Sequence, residues 1–327
     1  MVEGLQIGRR TLLGAGATLA ALGPAMAQES YPNRPVVLVT GYPPGGHTDI
    51  TTRALAEHMA RSLGQPVVVE NKPGAATAIA AQQAVQARPD GYQLLMGTAS
   101  LAINPALQPG TPPQDPRREL LPVGMAYRTS FVLHVHADLP VRSLPEFLAF
   151  AKERPGRLNY GSGGNGAVNH LAFALLCQQT GLDMVHVPYR GDPPATLDLQ
   201  AGRVQAIFQS PVAAAPSVAA GKTRALAVSS RDRLRGWPEL PAVAELLPGY
   251  EAVFWQGLFA PIGTPEPVTA KLAAALRAAT DDAELREAME RRGVTLVSGD
   301  ADYLQRLLAE DTERWGGLIR SAGIRAE

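Results

Sequence analysis

Gly161-Ser162-Gly163-Gly164-Asn165-Gly166 has the G-x-G-x-x-G spacing of a turn that cradles phosphate. Glycines there let backbone N–H groups face an anion at the start of a helix. A dinucleotide site also needs an acid at the end of the next strand to hold the ribose. Asp183 lies at about the right distance but precedes that strand, so nucleotide binding is the weaker reading and no cofactor is expected. Ser162 and His170 would be the nucleophile and base of an exported hydrolase. No G-x-S-x-G elbow is present and no His–Asp pair is marked out for Ser162. Ligand hydrogen bonding or capping suits Ser162 better. His170 can donate to a bound carboxylate or bond the backbone. Gly221-Lys222-Thr223 ends like a phosphate loop, but Pro216 stands where the first glycine is required, so it reads as a helix end.

Metal chemistry finds little support. Cys177 is the single cysteine, which excludes Cys clusters and internal disulfides. It lies in an apolar helical pattern and reads as a small buried hydrophobe. The six histidines show no H-E-x-x-H spacing, and His134-Val135-His136 is a strand-like alternation. No metal is expected.

A second turn has the residues of an anion site. Val36-Val37-Leu38-Val39-Thr40 reads as a strand and breaks into Gly41-Tyr42-Pro43-Pro44-Gly45-Gly46-His47-Thr48-Asp49. Ile50, Ala54, Leu55, His58, Met59 and Leu63 then follow helical spacing, and residues 66–70 read as another strand. This is a βαβ unit whose turn is stiffened by Pro43 and Pro44 and opened by Gly45 and Gly46. Its amides sit at the positive end of a helix. Asp49 reads as satisfying donors at the helix start, with a ligand amine as the other possible partner.

The elements that must position these turns alternate strand and helix almost throughout, which predicts mostly parallel sheets covered by helices. Residues 75–87 read as a helix and 92–96 as a strand ending in Gly97-Thr98-Ala99-Ser100. A Pro-rich loop through Pro105 and Pro116 follows. Later strands are expected at 131–135, 158–160, 184–187, 204–209, 224–228 and 255–260. Helices are expected at 168–180 and 195–201, after Ser143 with a capping box to Glu146, after Thr264-Pro265, and after Asp300. Trp237 and Trp315 read as locally packed surface residues, Trp255 as core or hinge. A chain of 327 residues suits two lobes with a cleft between them. Thirty basic and thirty acidic residues give no excess for nucleic acid or a polyelectrolyte partner. Arg9-Arg10, an apolar stretch to Leu22 and Ala25-Met26-Ala27 read as an export leader over residues 1–27, twin-arginine or Sec, cleaved near Ala27. No later segment reads as a membrane span.

Tyr42-Pro43-Pro44-Gly45-Gly46 to Asp49 resembles the Bug family of extracytoplasmic solute receptors, the binding proteins of tripartite tricarboxylate transporters. Similar segments recur in order: Val69-Glu70-Asn71-Lys72-Pro73-Gly74, Pro89-Asp90-Gly91-Tyr92, Tyr160 to Gly166, His170-Leu171-Ala172, Val187-Pro188-Tyr189-Arg190-Gly191 and Gly257-Leu258-Phe259-Ala260-Pro261. The resemblance covers the mature chain. It implies a type II-like periplasmic-binding-protein fold, two α/β lobes joined by two crossing strands, with hinge closure over a small carboxylate. It implies a periplasmic receptor, a monomer without enzymatic activity, that delivers its ligand to the transporter's membrane components or reports it to a sensor. The expected ligand-binding residues are Tyr42, Pro43, Pro44, Gly45, Gly46, Asp49, Ala76, Thr98, Ser100, Ser162, Gly163, Asn165, Gly166, His170, Tyr189, Arg190, Gly191 and Gln209. Lobe 1 is expected to comprise residues 28–128 with 253–327, and lobe 2 residues 129–252.

The chain departs from that pattern at three places. Ala75-Ala76-Thr77 is bulkier than the Gly-rich stretch usual there. Gln209 stands where an Asp often follows Phe208, which removes a partner for a ligand amine. Asp192-Pro193-Pro194 replaces a smaller neutral stretch, and Asp192 either disfavours a second ligand carboxylate or pairs with Arg190.

Overall fold

The computed structural model describes residues 31–45 and 47–326, together with Met1. The expected leader, Met1 apart, and Gly46 of the first turn lie outside the described residues.

Eleven strands form two sheets among the described residues. The first holds β1 (Val36–Thr40), β2 (Val67–Asn71), β3 (Gln93–Thr98), β4 (Leu120–Ser130), β10 (Val253–Pro261) and β11 (Thr295–Leu296), in the order β11-β4-β10-β3-β1-β2. The second holds β5 (Val132–His136), β6 (Asn159–Ser162), β7 (Val185–Pro188), β8 (Ala206–Gln209) and β9 (Thr223–Val228), in the order β7-β6-β8-β5-β9. Helices cover both, giving a two-lobed α/β fold. Pairing is mixed where strand–helix alternation predicts mostly parallel sheets. β1 is parallel to β2 and β3, and β6 to β7 and β8, each through a helical crossover. β10 runs antiparallel to β3 and β4, and β5 antiparallel to β8 and β9. The reason is the crossing: the chain leaves the first sheet along β4 and returns along β10 in the opposite direction.

β4 is the longest strand, yet its sequence does not read as one. Pro122 and Gly124 interrupt it. Pro122 is tolerated because β11 pairs with β4 only at Tyr127 and Arg128, so the edge beside Pro122 carries no ladder. Pro105 likewise hides a helix, Ser100–Leu107, where a loop is expected.

Both crossings are tied to one buried residue, Ser229. Its Oγ accepts from Phe131 N at 2.8 Å and donates to Ala252 O at 2.5 Å. Its own amide donates to Phe131 O at 2.8 Å, and its carbonyl accepts from Ala252 N at 2.9 Å.

One hydrophobic cluster spans the two sheets, joining Val39 and Leu95 of the first to Leu133 and Phe208 of the second through Tyr250, Trp255 and Trp315. Trp315 is fully buried, which corrects its reading as a surface residue. It belongs to the helix Ala301–Ala322, capped by Asp300 accepting from Tyr303 N at 2.8 Å. Leu304, Leu308, Trp315 and Leu318 lie on one face at helical spacing, under a run of charged neighbours that masks them. The last turn of this helix reaches the second lobe, where Gln178 Nε2 donates to Ser321 Oγ at 2.9 Å.

The expected helix at 75–87 begins late, at Ala78. Ala75, Ala76 and Thr77 are left-handed, with φ of 45°, 49° and 77°. Such a conformation costs about 1–2 kcal/mol per non-glycine residue. Asn104 Nδ2 holds it by donating to Ala76 O at 2.8 Å. Gly41 makes room for it, since a Cβ there would stand 2.5 Å from Thr77 Cβ. Ala76→Gly is therefore expected to stabilise the fold by about 0.5–1 kcal/mol, the strain relieved less the extra chain entropy of glycine. A lower urea midpoint for the variant would contradict this.

Candidate functional site

The turn after β1 leads into the helix His47–Leu63, whose first amides have no intrahelical acceptor. Asp49 sets the shape of that turn. Its carboxylate is 2% exposed and accepts from Gly45 N at 2.9 Å, Arg53 Nε at 3.0 Å and Asn71 Nδ2 at 2.8 Å. Burial pushes the carboxyl up, but the bonds from Arg53, Gly45 and Asn71 outweigh it and hold the pKa at about 2. Asn71 also donates to Tyr42 O at 2.9 Å, which joins the turn to the end of β2. Asp49 is thus occupied within the protein. Pro43, Pro44 and Gly45 are exposed.

Tyr42, Thr98 and Ser100 gather beside this turn, with Thr77 against Gly41, while Ala76 is held by Asn104. Tyr42 OH lies 3.5 Å from Ser100 Oγ, and Ser100 N donates to Thr98 Oγ1 at 3.4 Å. Thr98 pairs across the sheet with Gln256, which is buried and donates to Thr52. Gln256 Oε1 and Thr40 Oγ1 are buried without a hydrogen-bond partner among the described residues. Unsatisfied buried acceptors mark a place for water or ligand. Neither residue stands out in the sequence, because each becomes notable only once β1, β3 and β10 are neighbours.

In the second lobe the Gly-rich turn follows β6. Ser162 is fully buried, and its Oγ is bonded to His186 Nε2 at 2.7 Å, not to His170. His170 Nδ1 accepts from Gly166 N at 3.0 Å. The two imidazoles stack with centroids 3.6 Å apart. Burial lowers both pKa values, to about 3 for His170, with His186 adding to the effect, and to about 4 for His186. Both rings are therefore neutral at pH 7. His186 is missed by sequence reasoning because its nearness to Ser162 depends on the β6–β7 register, Tyr160 opposite His186.

The glycine amides of this turn are engaged by the turn itself and by the helix that follows it. Gly163 N donates to Asn169 Oδ1 at 3.3 Å and Gly164 N to Ser162 Oγ at 3.2 Å. The turn's far end meets the first lobe, for a Cβ on Gly166 (φ +72°) would stand 2.1 Å from Leu107 Cδ2. Gly191 N donates to Gly163 O at 3.1 Å, and Tyr189 OH to Asp198 at 2.7 Å. Gln209 is buried and donates to Thr196 at 2.7 Å. Asp192 accepts from Asn169 Nδ2 at 2.9 Å, while Arg190 is exposed and makes no ion pair among the described residues. Asn165 lines a separate cavity of about 670 Å³ with Tyr160, His170 and His186, walled on its outer side by Ser321 and Ile324. Cys177 borders it, and burial pushes its thiol up to about 12.

Among the described residues no group of three His, Cys, Asp or Glu side chains could hold a metal ion. No helix among them is long and apolar enough to cross a membrane.

Residues 51–324 match the family model described as the tripartite tricarboxylate transporter family receptor. The chain is 37% identical over 317 residues to the UPF0065 protein in the tcbD-tcbE intergenic region of Pseudomonas sp. (strain P51), covering 96% of this chain and 94% of that one. Among solved structures it resembles a Rhodopseudomonas palustris protein with adipate, at 30% identity and a TM-score of 0.78, covering 91% of this chain and 100% of the other. It also resembles MatC from Rhodopseudomonas palustris with bound malate, at 31% identity and a TM-score of 0.75, covering 88% and 100%.

Proposed function

The chain belongs to the tripartite tricarboxylate transporter receptor family, and from that premise we propose that it is a periplasmic receptor that captures a small carboxylate between its lobes and delivers it to transporter components in the membrane. The observation that carries this reading is the turn at residues 42–49, locked by Asp49, Asn71 and Arg53 at the start of a 17-residue helix. A carboxylate is favoured at the free amides of such a helix start. The R. palustris relatives with adipate and malate support the same class of ligand.

On this reading lobe 1 comprises residues 28–128 with 253–327, and lobe 2 residues 129–252. The ligand meets Tyr42 to Gly45, Ala76, Thr98 and Ser100 on one side and Gly163, Gly164, Tyr189, Gly191 and Gln209 on the other. His170 and His186 serve by holding the second turn. Closure about the Ser229 tie is favoured by the ligand's extra contacts in the closed state. A hydrolase reading has less support, because Ser162 is buried and no carboxylate orients His186 among the described residues.

The test is thermal unfolding with a panel of small organic acids that includes malate and adipate. A matching acid at about 100 times its Kd adds about 2.7 kcal/mol, a rise in Tm of roughly 5 °C or more. A panel in which no acid moves Tm would defeat the reading. Delivery is tested separately, by ligand uptake in cells with and without this receptor. Binding without receptor-dependent uptake would assign it to sensing.

A further inference from the structure

The two halves of the cleft differ in charge. In the first lobe the Asp49 carboxylate is matched by Arg53, 3.0 Å away, which leaves the helix start open to an anion. In the second lobe the helix that borders the Gly-rich turn, Asp192–Gln200, opens on Asp192-Pro193-Pro194. Prolines carry no N–H, so two of the amides that a helix start offers an anion are absent. Neighbouring amides are already used: Tyr189 N donates to Ser162 O and Gly191 N to Gly163 O, both at 3.1 Å. Gly163, Gly164 and Gly166 donate to Asn169, Ser162 and His170.

Asp192 adds a carboxyl at the same place. Its Oδ1 lies where it would be 2.8 Å from a Cβ on Gly163, hard against the turn. That oxygen accepts from Asn169 Nδ2 at 2.9 Å. Among the described residues the other oxygen accepts no hydrogen bond and the group makes no ion pair. A second ligand carboxylate here would meet a like charge, and neither Pro193 nor Pro194 has an amide N–H to offset it. A hydroxyl, amide N–H or ammonium would meet a ready acceptor.

We propose that Asp192 makes the second lobe select a hydrogen-bond donor, so that the ligand is a monocarboxylate with a hydroxyl, amide N–H or ammonium at its far end, not a dicarboxylate. This rests on the carboxylate-receptor reading above and narrows it. The Asp192 carboxyl titrates higher than an ordinary aspartate, because burial disfavours its charge, and in either protonation state it keeps an oxygen that accepts.

The experiment is titration calorimetry on the mature chain with acids matched in length: succinate, glutarate and adipate, each against its ω-hydroxy and ω-amino counterparts. The wild type is expected to bind a donor-bearing acid at least about tenfold tighter than the dicarboxylate of the same length. Asp192→Asn keeps the bond to Asn169 and removes the charge, and is expected to shift that ratio toward the dicarboxylate by about tenfold. Asp192→Gly serves the same purpose if the Asn variant melts early. A dicarboxylate preferred by the wild type, or a ratio unmoved in both variants while binding persists, would overturn the proposal and leave the carboxylate receptor standing. Failure of every acid to bind wild type and variants alike would overturn both.

Discussion

Asp311→Ala is expected to lower the unfolding free energy by about 2–4 kcal/mol, the cost of taking a buried carboxylate from the indole N–H and the half-buried arginine it pairs with. Asp311 is 2% exposed. It accepts from Trp255 Nε1 at 2.7 Å and pairs with Arg314 at 2.6 Å. Trp255 is fully buried on β10, so the truncation leaves its indole N–H without a partner in the core that joins the sheets. Arg314 keeps a bond to Glu251 O and its stacking on Trp315, which limits the loss on that side. The drop in Tm should be on the order of 10 °C. Asp311→Asn retains an acceptor for the indole and should lose clearly less. Urea unfolding of the three proteins decides the matter: a loss below about 1 kcal/mol for the alanine variant would mean that the network is not closed as described.

Asp49→Asn is expected to cost about 2 kcal/mol at pH 7 and almost nothing near pH 2. The carboxylate titrates at about 2 in the folded protein, against the ordinary aspartate value of 3.8. A depressed folded pKa gives stability that is present above the unfolded value and lost as pH falls through the folded one. The shift corresponds to about 2 kcal/mol, present above pH 4 and fading toward pH 2. Wild type and variant should therefore converge in acid. Parallel stability curves from pH 7 to pH 2 would rule out a charged Asp49 as the source. The variant also weakens the tether on Gly45, and loss of that preorganisation should reduce carboxylate affinity by about tenfold.

The first turn was legible in the sequence because its chemistry is local. Prolines, glycines and a helix start lie within residues 42–49, and the structure sets them between β1 and a helix as that pattern requires. The features that escaped depend on neighbours distant in sequence. His186 meets Ser162 only through the pairing of β6 with β7. Gln256 comes beside Thr98 only when β10 inserts next to β3. β4 and the helix Ser100–Leu107 were hidden by prolines whose cost is small at those sites. Trp315 was misread from its charged neighbours, although helical spacing to Leu304, Leu308 and Leu318 marks it as core. Asp192 was visible as a departure from the family pattern. Its choice of Asn169 over Arg190 required the fold.

The strand order has a consequence for how the molecule is made. In the first sheet β10 lies between β3 and β4, and the whole second sheet precedes it in the chain. A ribosome that has finished β4 has still to deliver more than a hundred residues before the strand that joins β3 to β4 exists. The helix that seals both sheets, Ala301–Ala322, emerges last of all. The first lobe cannot complete its interior during most of synthesis, and contacts this distant in sequence form slowly. The first sheet therefore closes only when nearly all of the chain has left the ribosome.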